Sequence, residues 1–130
     1  DFLKDIVNKL EEVTKDYDNH YLNIAIAYGG QNELVDAIKK IGSRIKDGSL
    51  DVSQIDKEVI ESSLYTSHLP QSSPDMILRT SGEKRLSGFL LWQSAYSELV
   101  FMDVYWPEFR KIDLMRAIRT FQKRGRRLGK

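Results

Sequence analysis

Residues 74–101 read "PDMILRTSGEKRLSGFLLWQSAYSELVF". An apolar run, Met76-Ile77-Leu78, ends in Arg79. Close behind it come Ser81, Gly82, a second arginine at Arg85, and Ser87-Gly88. The second half carries the rings of Trp92 and Tyr96 and one isolated carboxylate, Glu98. "DMILR" reads as a short strand, "FLLWQSAYSE" as a helix and "LVFMDVY" as extended chain, with Pro107 opening a new element.

Upstream, "HLPQSSP" is a loop, because Pro70 and Pro74 both restrict the backbone around them. Ser53 is placed to cap a helix holding Ile55, Val59 and Ile60, with Asp56 at the capping-box position. Leu34, Ile38, Ile41 and Ile45 recur at helical spacing and stop near Gly48. "YLNIAIAY", residues 21–28, reads as a strand that stops at Gly29-Gly30. Phe2, Ile6, Leu10, Val13 and Tyr17 form the stripe of a first helix. Downstream, Leu114, Ile118 and Phe121 line a last helix that runs into a basic tail.

Strands alternating with helices predict an α/β fold, part of a parallel sheet flanked by helices. Three strands make a thin sheet of that kind. An edge is therefore expected to pair with something outside these residues. The chain opens at Asp1 with helical periodicity already running, which reads as a piece cut from a larger protein.

Composition excludes several classes of function. The 130 residues suffice for one core, and a net charge of +1 gives no global pull toward nucleic acid or membrane. With no cysteine there is neither disulfide nor thiolate metal site, and His20 and His68 alone argue against zinc. No signal peptide or spanning run is evident, so the expected location is cytoplasmic.

Ligands of open parallel sheets sit beyond the carboxyl ends of the strands. Two candidate sites fall there, Tyr28-Gly29-Gly30 and the stretch from Arg79 onward. Arg79 and Arg85 offer bidentate donors to phosphate oxygens, and Ser81 and Ser87 offer small neutral ones. Each feature also has a structural reading. Thr80-Ser81-Gly82-Glu83 has the form of a capping box, the arginines could be solvated charges, and the glycine pair could be a tight turn. Trp92, Tyr96 and Phe101 suit a core. Glu98 is harder to set aside, since a buried carboxylate needs a positive partner. Magnesium, which combines few carboxylates with phosphate oxygens, would supply one.

Together with "IAYGGQNEL" before it and "WPEF" after it, the stretch strongly resembles the cis-prenyltransferases, the undecaprenyl and dehydrodolichyl diphosphate synthases. The likeness runs from about Leu22 to the terminal "RRLG". It implies condensation of isopentenyl diphosphate onto an allylic diphosphate, with cis geometry and magnesium. By resemblance Arg79, Arg85 and Ser87 grip isopentenyl diphosphate, and Glu98 helps hold Mg2+ across a homodimer interface. Arg127 and Gly129 resemble the Arg-x-Gly element that completes a neighbouring subunit's site. A lipid product further implies peripheral contact with membrane.

The family's His-x-Gly-Asn-Gly-Arg region, with its aspartate just before, is not in this sequence. Residues 1–130 thus read as the C-terminal half of one domain, without the allylic-diphosphate site, and no catalytic residue is assigned. Gln31 stands where an arginine is common, and Gly88 where an asparagine is common. Two other functions are compatible with the sequence. One is a non-catalytic partner subunit, although such partners tend to lose the substrate arginines. The other is RNA binding through Arg116, Arg119, Lys123, Arg124, Arg126, Arg127 and Lys130. A basic helix end is favoured by its dipole anyway, and no aromatic platform interleaves the charges; nucleic acid is not expected.

Overall fold

The computed structural model describes residues 2–124. Along them run α1 (Phe2–Thr14), α2 (Gly30–Lys46), α3 (Lys57–Glu61), β1 (Met76–Arg79), β2 (Glu98–Phe101) and α4 (Lys111–Lys123). Single 3₁₀ turns occur at Val52–Gln54 and Trp106–Glu108. β1 and β2 pair in parallel, with Met76 opposite Glu98 and Arg79 opposite Phe101. Arg79 therefore leaves the sheet at one end while Glu98 enters it at the other. Pairing continues past β1: Gly82 N donates to Met102 O at 2.9 Å and Ser81 N to Val104 O at 2.8 Å.

Ile77 and Val100 are both buried, yet the register pairs Ile77 with Leu99 and so sets the two on opposite faces. A parallel pair covered on both faces is the arrangement an α/β fold demands. α4 packs on β2, and its Ala117 is almost fully buried, small enough to admit a close approach. α2 packs on α3 and buries Glu33, Ala37 and Ile41, each one turn or so from the last.

Four local expectations change. "YLNIAIAY" is not a strand: residues 21–28 are irregular, with Leu22 86%, Ile24 74% and Ile26 79% exposed. Its β-rich composition cannot act without a neighbour, and no described strand pairs with it. "FLLWQSAYSE" is a chain of turns rather than a helix. Ser87, Gly88 and Leu90 all take positive φ (49°, 80° and 47°), which no α-helix accommodates. Ser53 caps nothing; Asp51 caps the 3₁₀ turn and Asp56 caps α3, accepting from Val59 N at 2.9 Å. Thr80-Ser81-Gly82-Glu83 opens no helix, so its capping-box form is idle. The first-helix stripe is present in α1 but buries none of its residues.

Asp113 anchors the start of α4. Its carboxylate accepts from Arg110 N (3.1 Å) and pairs with Arg110 Nε (3.3 Å) and Arg116 Nη1 (3.2 Å). The Arg110 amide, followed by its guanidinium, holds the Asp113 carboxyl below its ordinary range. A folded value below the unfolded one contributes stability that is present above the unfolded value, about pH 4, and is lost as pH falls through the folded value. Asp113→Asn should lower the melting temperature by several degrees at pH 7 and flatten its decline below about pH 4. Thermal melts at pH 7 and pH 3 measure this; parallel acid limbs for both proteins would remove Asp113 from the account.

Candidate functional site

The turn that follows β1 is where the candidate groups gather. Arg79 Nη1 donates to Arg85 O and to Ser87 Oγ, the latter at 2.9 Å. The guanidinium is thus fixed by the loop it begins. Ser87, having accepted from Arg79, keeps its own O–H to donate. Arg85 stands at the rim, 65% exposed, paired with Glu83 at 2.7 Å. A surface pair of that kind is worth about 0–1 kcal/mol, so Arg85 can exchange Glu83 for a ligand at small cost.

The backbone here is strained. Ser81, Gly82, Ser87, Gly88 and Leu90 have positive φ, a conformation three of these side chains rarely adopt. Such residues cost about 1–3 kcal/mol each and cluster at ligand sites. The turn is stapled to the other sequence candidate: Gly30 N donates to Gly88 O at 2.9 Å. Tyr28 packs edge-on against Phe89, ring centres 5.6 Å apart. Tyr28-Gly29-Gly30 and the Arg79 loop therefore form one site rather than two.

Behind that junction lies a group whose role the sequence did not disclose. Glu33, 1% exposed, accepts from Tyr65 N (2.8 Å), from Gln93 Nε2 (3.0 Å) and from the Tyr28 hydroxyl. Burial and that bond to Glu33 push the Tyr28 phenol above its ordinary range. Gln93 also donates to Thr66 Oγ1 at 3.1 Å, while its Oε1 is buried without a partner. Gln31, in contrast, is exposed on the first turn of α2.

Glu98 does not join these groups. It lies at the opposite end of the β1–β2 pair from Arg79, and its expected positive partner is supplied from within the chain. Arg124, delivered by the end of α4, pairs with Glu98 at 3.3 Å and donates to Leu99 O. A magnesium ion would have to displace that guanidinium. Among the described residues no group of three or more histidine or acidic side chains is placed to hold a metal. Arg127 and Gly129 lie outside the described residues.

The undecaprenyl diphosphate synthase family model matches residues 1–129. The chain belongs to the cis-prenyltransferase family. It is 57% identical over 120 residues, 92% of its length and 43% of the relative's, to a tritrans,polycis-undecaprenyl-diphosphate synthase (geranylgeranyl-diphosphate specific) of Methanocaldococcus jannaschii. A synthase of the same description from Thermoplasma acidophilum is 52% identical over 129 residues, covering 99% of this chain and 49% of that one. The crystal structure of lavandulyl diphosphate synthase from Lavandula x intermedia, in complex with dimethylallyl diphosphate, superposes with a TM-score of 0.96 at 32% identity. That match covers 99% of this chain and 55% of the plant enzyme. The cis-prenyltransferase chain thus spans about half the length of the curated relatives it matches.

The Glu98–Arg124 pair predicts its own measurement. Both partners are partly exposed, 24% and 44%. A double-mutant cycle with Glu98→Gln and Arg124→Ala should give a coupling of no more than about 1 kcal/mol by denaturant unfolding. A coupling several times larger would show a desolvated pair that a metal could not readily open.

Proposed function

We propose that this chain supplies the isopentenyl diphosphate half-site of a cis-prenyl chain-elongating transferase. The observation that carries the reading is the fixed Arg79 guanidinium, bonded to Ser87 in a strained turn at the carboxyl end of β1. Arg79 presents the free edge of its fork, Ser87 its O–H, and Arg85 swings from Glu83 to the diphosphate. These groups neutralise and orient the nucleophilic substrate. In the condensation the carbon–oxygen bond of an allylic diphosphate breaks, the alkene of isopentenyl diphosphate attacks the allylic carbon, and a proton leaves. Holding the diphosphate in place converts part of that encounter into a pre-oriented one.

The chain acts in this proposal as the C-terminal half of the domain. The exposed apolar faces of α1 and of residues 22–26 stand open where further family length would pack. So does an apolar cleft of about 830 Å³ lined by Ile24, Ile26, Tyr65 and Phe89, among others. Magnesium, when bound, would neutralise diphosphate charge. Glu98 would give it one carboxylate after releasing Arg124, with further donors from outside this chain in a homodimer. No described helix is long and apolar enough to cross a membrane, and contact with a lipid product would be peripheral.

Fusion to the amino-terminal portion of the Methanocaldococcus relative tests the assignment. The fusion should incorporate labelled isopentenyl diphosphate onto geranylgeranyl diphosphate, and the chain alone should not. Incorporation by the chain alone, or none by a folded fusion, would overturn the half-site reading; the second result would favour a non-catalytic partner. By titration calorimetry of the fusion, Arg79→Ala and Arg85→Ala should each weaken isopentenyl diphosphate about ten- to a hundredfold, roughly 1.5–3 kcal/mol. Lys84→Ala should change little. Equal, small effects from all three would return the arginines to the solvated surface.

A further inference from the structure

We propose that the first turn of α2 is the positioning device for the phosphate turn, with Gly30 setting its distance and Glu33 its orientation. Neither residue touches the ligand. The proposal rests on the half-site reading above and adds the elements that hold Arg79 and Ser87 in register.

Gly30 works by contact. Its amide is bonded to Gly88 O, and a Cβ built on it would stand 2.3 Å from that oxygen and 3.0 Å from Leu91 Cγ. Only a residue without a side chain lets the helix start meet the turn at this distance. Any larger residue must push Gly88, and with it the adjoining Ser87 that accepts from Arg79.

Glu33 works by convergence. Three donors from three parts of the chain meet on one buried carboxylate: the Tyr28 hydroxyl, the Tyr65 amide and the Gln93 side chain. A buried acid is costly, and its place in the first turn of α2, where amide dipoles point at it, offsets part of that cost. Gln93 shows that geometry is favoured over satisfaction here. Its amide nitrogen serves Glu33 and Thr66 while its oxygen stays buried without a partner. The tie fixes Gln93, and Gln93 lies within the run of turns, residues 87–96, that begins at Ser87. Tyr28 adds a second hold from the same carboxylate, through its ring on Phe89.

The test uses the fusion enzyme with Gly30→Ala, Glu33→Gln and, as the conservative variant, Tyr28→Phe. Alanine is a better helix former than glycine, so any loss in Gly30→Ala comes from the contact and not from α2 itself. Gly30→Ala and Glu33→Gln should raise KM for isopentenyl diphosphate about tenfold or more with kcat and the allylic KM changed less than threefold. Tyr28→Phe, which keeps the ring on Phe89 but loses the bond to Glu33, should raise the same KM by less than Glu33→Gln does. Amide hydrogen exchange over residues 85–91 of the unliganded protein should quicken in the first two variants while the β1 and β2 amides stay protected. If exchange and KM are unchanged in both variants while Arg79→Ala still weakens binding, the positioning role is wrong and the half-site stands. If Arg79→Ala has no effect, the half-site reading fails, and exchange alone then decides whether α2 holds the turn. Uniform loss of protection across the chain would show that Glu33 is merely structural, leaving Gly30→Ala to decide for the contact.

Discussion

The hydrogen bond from Gly30 N to Gly88 O joins parts of the chain that nothing else in the local sequence would bring together. One end belongs to the first turn of a helix, the other to a turn whose residues sit at positive φ. A single backbone bond contributes only about 0.5–1.5 kcal/mol net, less than the strain of the turn it touches. What makes it effective is the company it keeps: the Tyr28 ring on Phe89 and the Glu33–Gln93 tie act over the same few ångströms. Cooperation among short contacts, each modest, holds a conformation that the turn would not keep alone.

That arrangement explains why some elements were readable from sequence and others were not. α2, α4, β1 and β2 carry enough pattern to be located, but the buried faces of the helices are shifted from the apolar stripes: Ala37 and Ile41 are buried on α2 while Ile38 is 67% exposed, and Ala117 is buried on α4 while Leu114 is 40% exposed. Residues 89–98 mimic a helix because Phe89, Trp92 and Tyr96 have helical spacing, yet Leu90 gives no sign of the positive φ it adopts. Residues 21–28 were misread for the opposite reason. Their propensity for extended chain is real, but a strand is a relation between segments, and no described segment pairs with residues 21–28.

The site divides along the same line. Arg79, Arg85 and Ser87 stand out in the sequence as candidates, since arginine and hydroxyl donors beside glycine suit an anion. Glu33 does not, because an acid in the first turn of a helix is the ordinary complement to the dipole. Its burial depends on Tyr65 and Gln93, 32 and 60 residues further along, and so appears only once the chain is folded. Glu98 shows how a correct demand can be met by an unforeseen supplier: the carboxylate has its cation, but α4 brings Arg124 to it from within the same chain.

The positions of Arg79 and Glu98 constrain how the chemistry can be assembled. Opposite ends of a four-residue parallel pair are about 10 Å apart along the backbone at roughly 3.3 Å per residue. Within the described chain the two groups start from opposite ends of the sheet, and Glu98 is paired with Arg124. In the homodimer proposed above, the sheet end bearing Glu98 would face the turn end of its neighbour. A symmetric pair satisfies that requirement twice, since whatever one copy lends its neighbour it also receives. In the separate chain the Arg124 pair gives Glu98 the positive partner that a neighbouring copy's ligand would otherwise have to supply.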